Sequence, residues 1–149
     1  MRLWRISDFA DLSGAGGVQV PGRWHPRGHW IVYLADHPAS ALLEVLAHLD
    51  VDPRDLPRSY QLLCIEVADD IRFGDVIEGD LDPNWRAKPD ETQARGLRWL
   101  SEGATALLRV PSVIVPYAWN WLLNPKHTNI SRIRIAEALR VNFDPRLLS

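Results

Sequence analysis

Apolar residues along this chain fall in short runs cut by proline and glycine, so the predicted elements are brief. Leu3 to Ile6 is a short strand candidate. Trp30 to Ala35 (WIVYLA) is almost continuously apolar and β-prone, the pattern of a strand buried on both faces. Ser59 to Ala68 is the longest strand candidate, and Ser112 to Val115, between Pro111 and Pro116, is another. Arg132 to Ile135 alternates charged and apolar residues, the period of a half-exposed strand, and Leu139 to Phe143 alternates less cleanly. Helical spacing is clearest over Ala39 to Leu49, with Asp36 or His37 available as cap and Pro38 suited to the first turn. A second helix is expected over Glu91 to Glu102, capped by Asp90 and stopped by Gly103. Asp8 to Pro21 and Asp69 to Pro89 read as loops, and Asn120 and Asn124 flank an expected Trp-Leu-Leu turn. Strands and helices in irregular order argue against a doubly wound parallel sheet. The expectation is α+β: a compact single domain over 1–149 with one or two small mixed sheets and short helices.

Composition narrows the function classes. The length, 149 residues, suits one domain able to bury a core without staples. A net charge of −2 argues against a general nucleic-acid binder, which carries a basic surplus. The single cysteine, Cys64, excludes an internal disulfide and fits a reducing compartment. No apolar run approaches the roughly 18 residues of a membrane span, and Met1 to Asp11 lacks a signal-peptide layout. A cytoplasmic setting is expected. Seven tryptophans stand against three tyrosines and three phenylalanines. Several neighbour charged or amide residues and are open to two readings, core packing or a shelf for a flat ligand.

Chemistry concentrates between Gly22 and His48. Ser40, Glu44 and His48 are spaced i, i+4, i+8 and form one stripe on an otherwise apolar helix. Such a helix is expected to be largely buried, and a buried carboxylate needs a cation, donors or water. The alternative is a thin solvated stripe with an ordinary Glu44–His48 pair. Arg23, framed by Pro21 and Pro26, is suited to a phosphate or carboxylate, or is a surface arginine stacked on Trp24. Tyr33, in the apolar strand, needs a partner for its hydroxyl whether it is a core or a ligand-facing residue. The histidines have no metal-ligand spacing: Pro26 and Gly28 keep His25 and His29 off a common helix face, and Glu44 with His48 supplies only two ligands. No metal is expected. The glycines of Ser13 to Gly17 lack the strand-then-helix context of a phosphate loop.

The ordered set Gly-Arg-Trp, Val-Tyr-Leu-Ala, Ser-x-x-x-Glu-x-x-x-His, Val-Pro-Ser-x-x-x-Pro and Asn-x-x-x-Asn-Pro-x-His resembles the RES domain family, from about Trp4 to Arg146. The resemblance implies a fold similar to ADP-ribosyltransferases. It implies the toxin of a toxin–antitoxin pair, acting on NAD+ as substrate, with no other cofactor. It implies Arg23, Tyr33 and Glu44 as catalytic residues, with Arg23, Trp24, Ser40, His48, Ser112 and Asn120 around the NAD+, and Asn124 nearby. The implied partner is an Xre-like antitoxin that blocks the active site in a hetero-oligomer, without direct nucleic-acid or membrane binding. The implied chemistry is cleavage of the nicotinamide–ribose bond, with water or phosphate as acceptor. The alternatives are transfer of ADP-ribose to a protein and, in another class, a partner-binding module without activity. No role is assigned to His25 or to the segment 69–89.

Overall fold

The structure is a computed structural model that describes residues 1–49 and 52–148. Seven strands form one mixed sheet: β1 (Arg2–Ile6), β2 (Val32–Ala35), β3 (Ser59–Val67), β4 (Phe73–Asp75), β5 (Leu107–Pro111), β6 (Trp119–Leu123) and β7 (Ile133–Asn142). Their order across the sheet is β4-β5-β6-β2-β1-β3-β7. Only β4 and β5 run parallel. Three helices accompany them, α1 (Ala15–Gln19), α2 (Pro38–His48) and α3 (Pro89–Glu102). The α+β class expected from sequence is thus observed, with the small sheets merged into one.

Both faces of the sheet carry apolar side chains, because β2, β5 and β6 are apolar at nearly every position. Val32, Leu34, Leu107, Trp121 and Leu123 join Leu3, Leu63 and Ile65 in one core cluster. Their alternating neighbours Leu108, Val110 and Leu122 join Trp24, Trp85 and Trp99 in a second cluster, with Tyr33 packed against it. Four of the tryptophans, Trp24, Trp85, Trp99 and Trp121, are therefore core. Cys64 is also buried in β3.

The structure corrects several expectations. The two C-terminal strand candidates are one strand, β7. Its register slips opposite Cys64 and Ile65, where Ala136 is the extra residue, and the bulge interrupts the alternation that sequence reading relies on. Asn120 to Leu123 is not a turn but most of β6, a central strand paired with β2 and β5. Ser112 to Val115 is not a strand. β5 ends at Pro111, and the Ser112 hydroxyl accepts from the backbone N–H of Ile114 (3.1 Å) and Val115 (3.2 Å), turning the chain. The glycine-rich segment read as loop contains the five-residue α1. Asp90 does not cap α3. The helix starts two residues earlier than expected, on Pro89, and Asp90 and Glu91 lie in its first turn, where they favour the helix dipole. Other boundary signals hold: His37 Nδ1 accepts from Ala39 N–H at the start of α2, and Gly103 ends α3 in the left-handed conformation (φ 62°).

Helix α2 is not largely buried. Ala41 is its only buried residue, and Leu43 is 38% exposed. One edge of α2 packs on β1 and β2, and the rest stays at the surface.

Candidate active site

The register of β2 and β6 sets the frame. Ala35 pairs with Asn120 and Tyr33 with Leu122, so Tyr33, Ala35 and Asn120 lie on the same face of the sheet. Helix α2 follows β2 after a two-residue connection, which brings Glu44 back over that face. Asn120 Nδ2 donates to Glu44 Oε1 at 2.8 Å, and Ser112 Oγ donates to the same oxygen at 3.3 Å. Two neutral donors on a single oxygen fix the carboxylate without cancelling its charge and leave Oε2 uncommitted among the described residues. Residues from α2, the 112–118 turn and β6, up to 76 positions apart, thus meet at one carboxylate.

Glu44 faces a cleft of about 740 Å³, and among the described residues it is the only acid lining it. Arg5, Arg23, Tyr33, His48 and Asn120 line the same cleft. Trp24 contributes to its wall, although its ring is buried against Trp85 with centroids 6.1 Å apart. Ser112 reaches the site through Glu44. Ser40 does not line the cleft and makes no side-chain hydrogen bond among the described residues. His48 Nδ1 donates to the backbone carbonyl of Glu44 at 2.6 Å, so the two side chains do not form the ordinary ion pair. Asn124 is buried away from the cleft, where its Oδ1 caps the turn at Lys126.

Arg23 sits on a tight turn closed by Gly22 N–H to His25 C=O at 3.1 Å. Helix α3 clasps this turn: Thr92 Oγ1 donates to Arg23 C=O (2.6 Å) and Gln93 Nε2 to Gly22 C=O (2.9 Å). The Arg23 guanidinium donates to the carbonyl of Arg86 (3.0 Å), not to a carboxylate, and is not stacked on Trp24. The segment 69–89, without a role from sequence, therefore orients this arginine.

Arg5 is the cleft residue that sequence reading missed. Its Nη1 donates to Asp11 C=O at 2.8 Å. Burial lowers the guanidinium's pKa, and the charge of Asp11 opposes that shift. Neither cleft arginine forms a salt bridge among the described residues. Six others, Arg54, Arg86, Arg109, Arg132, Arg134 and Arg146, each pair with a carboxylate. A backbone carbonyl aims a guanidinium without neutralising it, so the cleft keeps two arginine charges available to an anion. Nothing in the run Leu3 to Ile6 signals this, because it depends on the 8–14 segment folding back onto β1.

The Tyr33 hydroxyl is fully engaged. It accepts from Trp24 N–H at 3.0 Å and lies 2.7 Å from His25 Nδ1. Burial raises the phenol's pKa well above its ordinary value, with the Trp24 N–H and the charge of Arg23 opposing. Among the described residues no group of three or more His, Cys, Asp or Glu side chains is placed to hold a metal ion. No helix there is long and apolar enough to cross a membrane.

Comparison with known proteins places this geometry in context. A family model described as RES domain matches residues 2–144. A protein named Toxin Res from Pseudomonas putida is 45% identical over 91% of this chain and 92% of its own length. The Prs ADP-ribosylating toxin of Sphingobium sp. is 37% identical over 98% and 96%. A chain in the crystal structure of the M. tuberculosis MbcT-MbcA toxin-antitoxin complex shares the fold, with a TM-score of 0.73 at 20% identity, over 99% of this chain and 86% of that one.

Proposed function

This chain belongs to the RES domain family, and on that premise we propose that it is the toxin of a toxin–antitoxin pair that consumes NAD+ by cleaving the nicotinamide–ribose bond. The observation that carries this reading is Glu44. It is a lone carboxylate, held by Asn120 and Ser112, in a cleft otherwise lined by cationic, neutral polar and apolar groups. When the bond breaks, its electron pair leaves with the nicotinamide nitrogen, and the ribose carbon takes on oxocarbenium character. A fixed carboxylate stabilises that developing charge and orients a ribose hydroxyl. Arg23 and Arg5 supply donors for the pyrophosphate, and the Tyr33 ring supplies a flat apolar face for the nicotinamide.

Purified protein, free of antitoxin, is expected to release nicotinamide from NAD+, and Arg23→Ala to remove most of that release. Intact NAD+ after prolonged incubation, with no ADP-ribosylated protein in lysate, would sink the proposal. The second reading is transfer of ADP-ribose to a protein, favoured by the name of the Sphingobium relative. Both readings use the same bond cleavage. Mass spectrometry separates them: free ADP-ribose or its phosphate from small-molecule acceptors, a modified protein from transfer. The partner expected on this proposal is an Xre-like antitoxin covering the cleft.

A further inference from the structure

His25 is a buried histidine, 2% exposed, whose ring nitrogens are both committed. Nε2 lies 3.0 Å from Gly17 C=O and 3.1 Å from Val20 C=O. Carbonyls only accept, so Nε2 carries the proton. In the neutral ring Nδ1 is then bare, and the group 2.7 Å from it is the Tyr33 hydroxyl, which must donate. The Tyr33 oxygen in turn accepts from Trp24 N–H. The result is a directed relay: Trp24 N–H to Tyr33 oxygen, Tyr33 O–H to His25 Nδ1, and His25 Nε2–H to the carbonyls of Gly17 in α1 and Val20 just after it. Gly22 closes it, since a Cβ at Gly22 would stand 2.4 Å from the Tyr33 hydroxyl and 3.0 Å from His25 Nδ1.

We propose that His25 is a positioning residue: its neutral, Nε2-protonated imidazole holds the Tyr33 hydroxyl, and through it the Gly22–His25 turn that aims Arg23 into the cleft. Tyr33 accordingly faces a ligand with its ring, its hydroxyl proton being turned away. Protonating His25 puts a hydrogen on Nδ1 and converts this acceptor to a donor, so the Tyr33 proton loses its place. Burial holds the imidazole pKa below the ordinary histidine value, opposed by the Gly17 and Val20 carbonyls and aided by His29, so the neutral form prevails at pH 7. The charged or titratable groups that act on the pair are His29, on the imidazole, and Arg23, on the phenol.

Two amide substitutions separate this role from simple packing. In His25→Asn the side-chain oxygen stands near Nδ1 and keeps an acceptor for Tyr33. In His25→Gln the amide nitrogen stands near Nε2 and keeps only the donor to the carbonyls. The expected result is that H25N preserves hydrogen-exchange protection of the Trp24 amide and H25Q loses it. Imidazole nitrogen NMR of the wild type should show Nε2 protonated and Nδ1 bare at pH 7. With NAD+, the wild-type KM should rise by about tenfold as the pH is taken below the ordinary histidine range, H25N should remove that rise, and H25Q should have the high KM throughout. The opposite tautomer, or protection kept in H25Q and lost in H25N, overturns the inference. Only the KM readout rests on the NAD+ proposal. A wild type inert toward NAD+ would defeat that proposal, while the spectrum and the exchange data still decide the role of His25.

Discussion

Glu44 shows how much a single residue's surroundings decide. Replacing it with Gln keeps the shape and at least one hydrogen bond but removes the charge. The expected outcome is a loss of about a hundredfold or more in kcat with KM little changed, because the charge matters most once the sugar has become cationic. Asn120 offers a sharper test. Asn120→Asp sets a second carboxylate against Glu44 Oε1, which now receives a donor at 2.8 Å. The exchange removes the Nδ2 donor and sets like charges in contact, so kcat should fall about tenfold or more. A variant as active as the wild type would refute this. For Arg5, removal of a donor to phosphate should act on binding. Arg5→Ala is expected to raise KM about tenfold or more with kcat nearly kept, and Arg5→Lys to recover part of the loss. Equal falls in kcat and kcat/KM would instead place Arg5 at the reacting bond.

At the scale of elements, the cleft depends on α3 standing very close to the turn that carries Arg23. A Cβ at Gly96 would meet the Trp24 carbonyl oxygen at 1.7 Å, a backbone-to-backbone collision that no rotamer relieves. Gly96→Ala should therefore cost about 3 kcal/mol or more and lower the melting temperature by roughly 10 °C, measurable by circular dichroism. Gly103→Ala, at the exposed end of the same helix, meets nothing and should cost only about 1 kcal/mol for its left-handed backbone. The same contrast explains what was legible in the sequence. β2, the long β3 and both ends of α2 were readable, because continuous apolarity, caps and proline are local signals. β6 was misread because Asn120 and Asn124 look like turn residues. Asn120 is polar inside a strand because it faces Glu44, a partner 76 positions away. The structure brings Glu44, Arg23, Tyr33 and Asn120 to one cleft, with Ser112 bonded to Glu44. Ser40, expected from helical spacing and from the family resemblance, stands outside the cleft lining, and Arg5 and His25 give no sequence signal because their contacts arise only in the tertiary structure.

At the scale of the whole molecule, the unusual feature is α2. A helix that reads PASALLEVLAH would be core in most domains, yet only Ala41 is buried, and Leu43 is 38% exposed next to the catalytic candidate. The turn tied to Glu44 by Ser112 exposes Val115 at 36% and Tyr117 at 99%, the latter with φ 67°. Val20, 63% exposed, lines the cleft itself. Water alone would not favour such a rim, and exposed apolar patches around a cleft mark protein interaction sites. If an antitoxin closes the cleft, as the proposed function requires, this rim is where it should gain its affinity, through a few large apolar anchors. Leu43 and Tyr117 do not line the cleft, so Leu43→Glu and Tyr117→Ser should leave NAD+ consumption within about twofold while weakening antitoxin binding by tenfold or more. The measurement is inhibition of nicotinamide release by titrated antitoxin. In cells the double variant should remain toxic at antitoxin levels that neutralise the wild type. Unchanged inhibition would move the partner's footprint off this rim, and a matching loss of activity would mean that the rim supports the cleft directly.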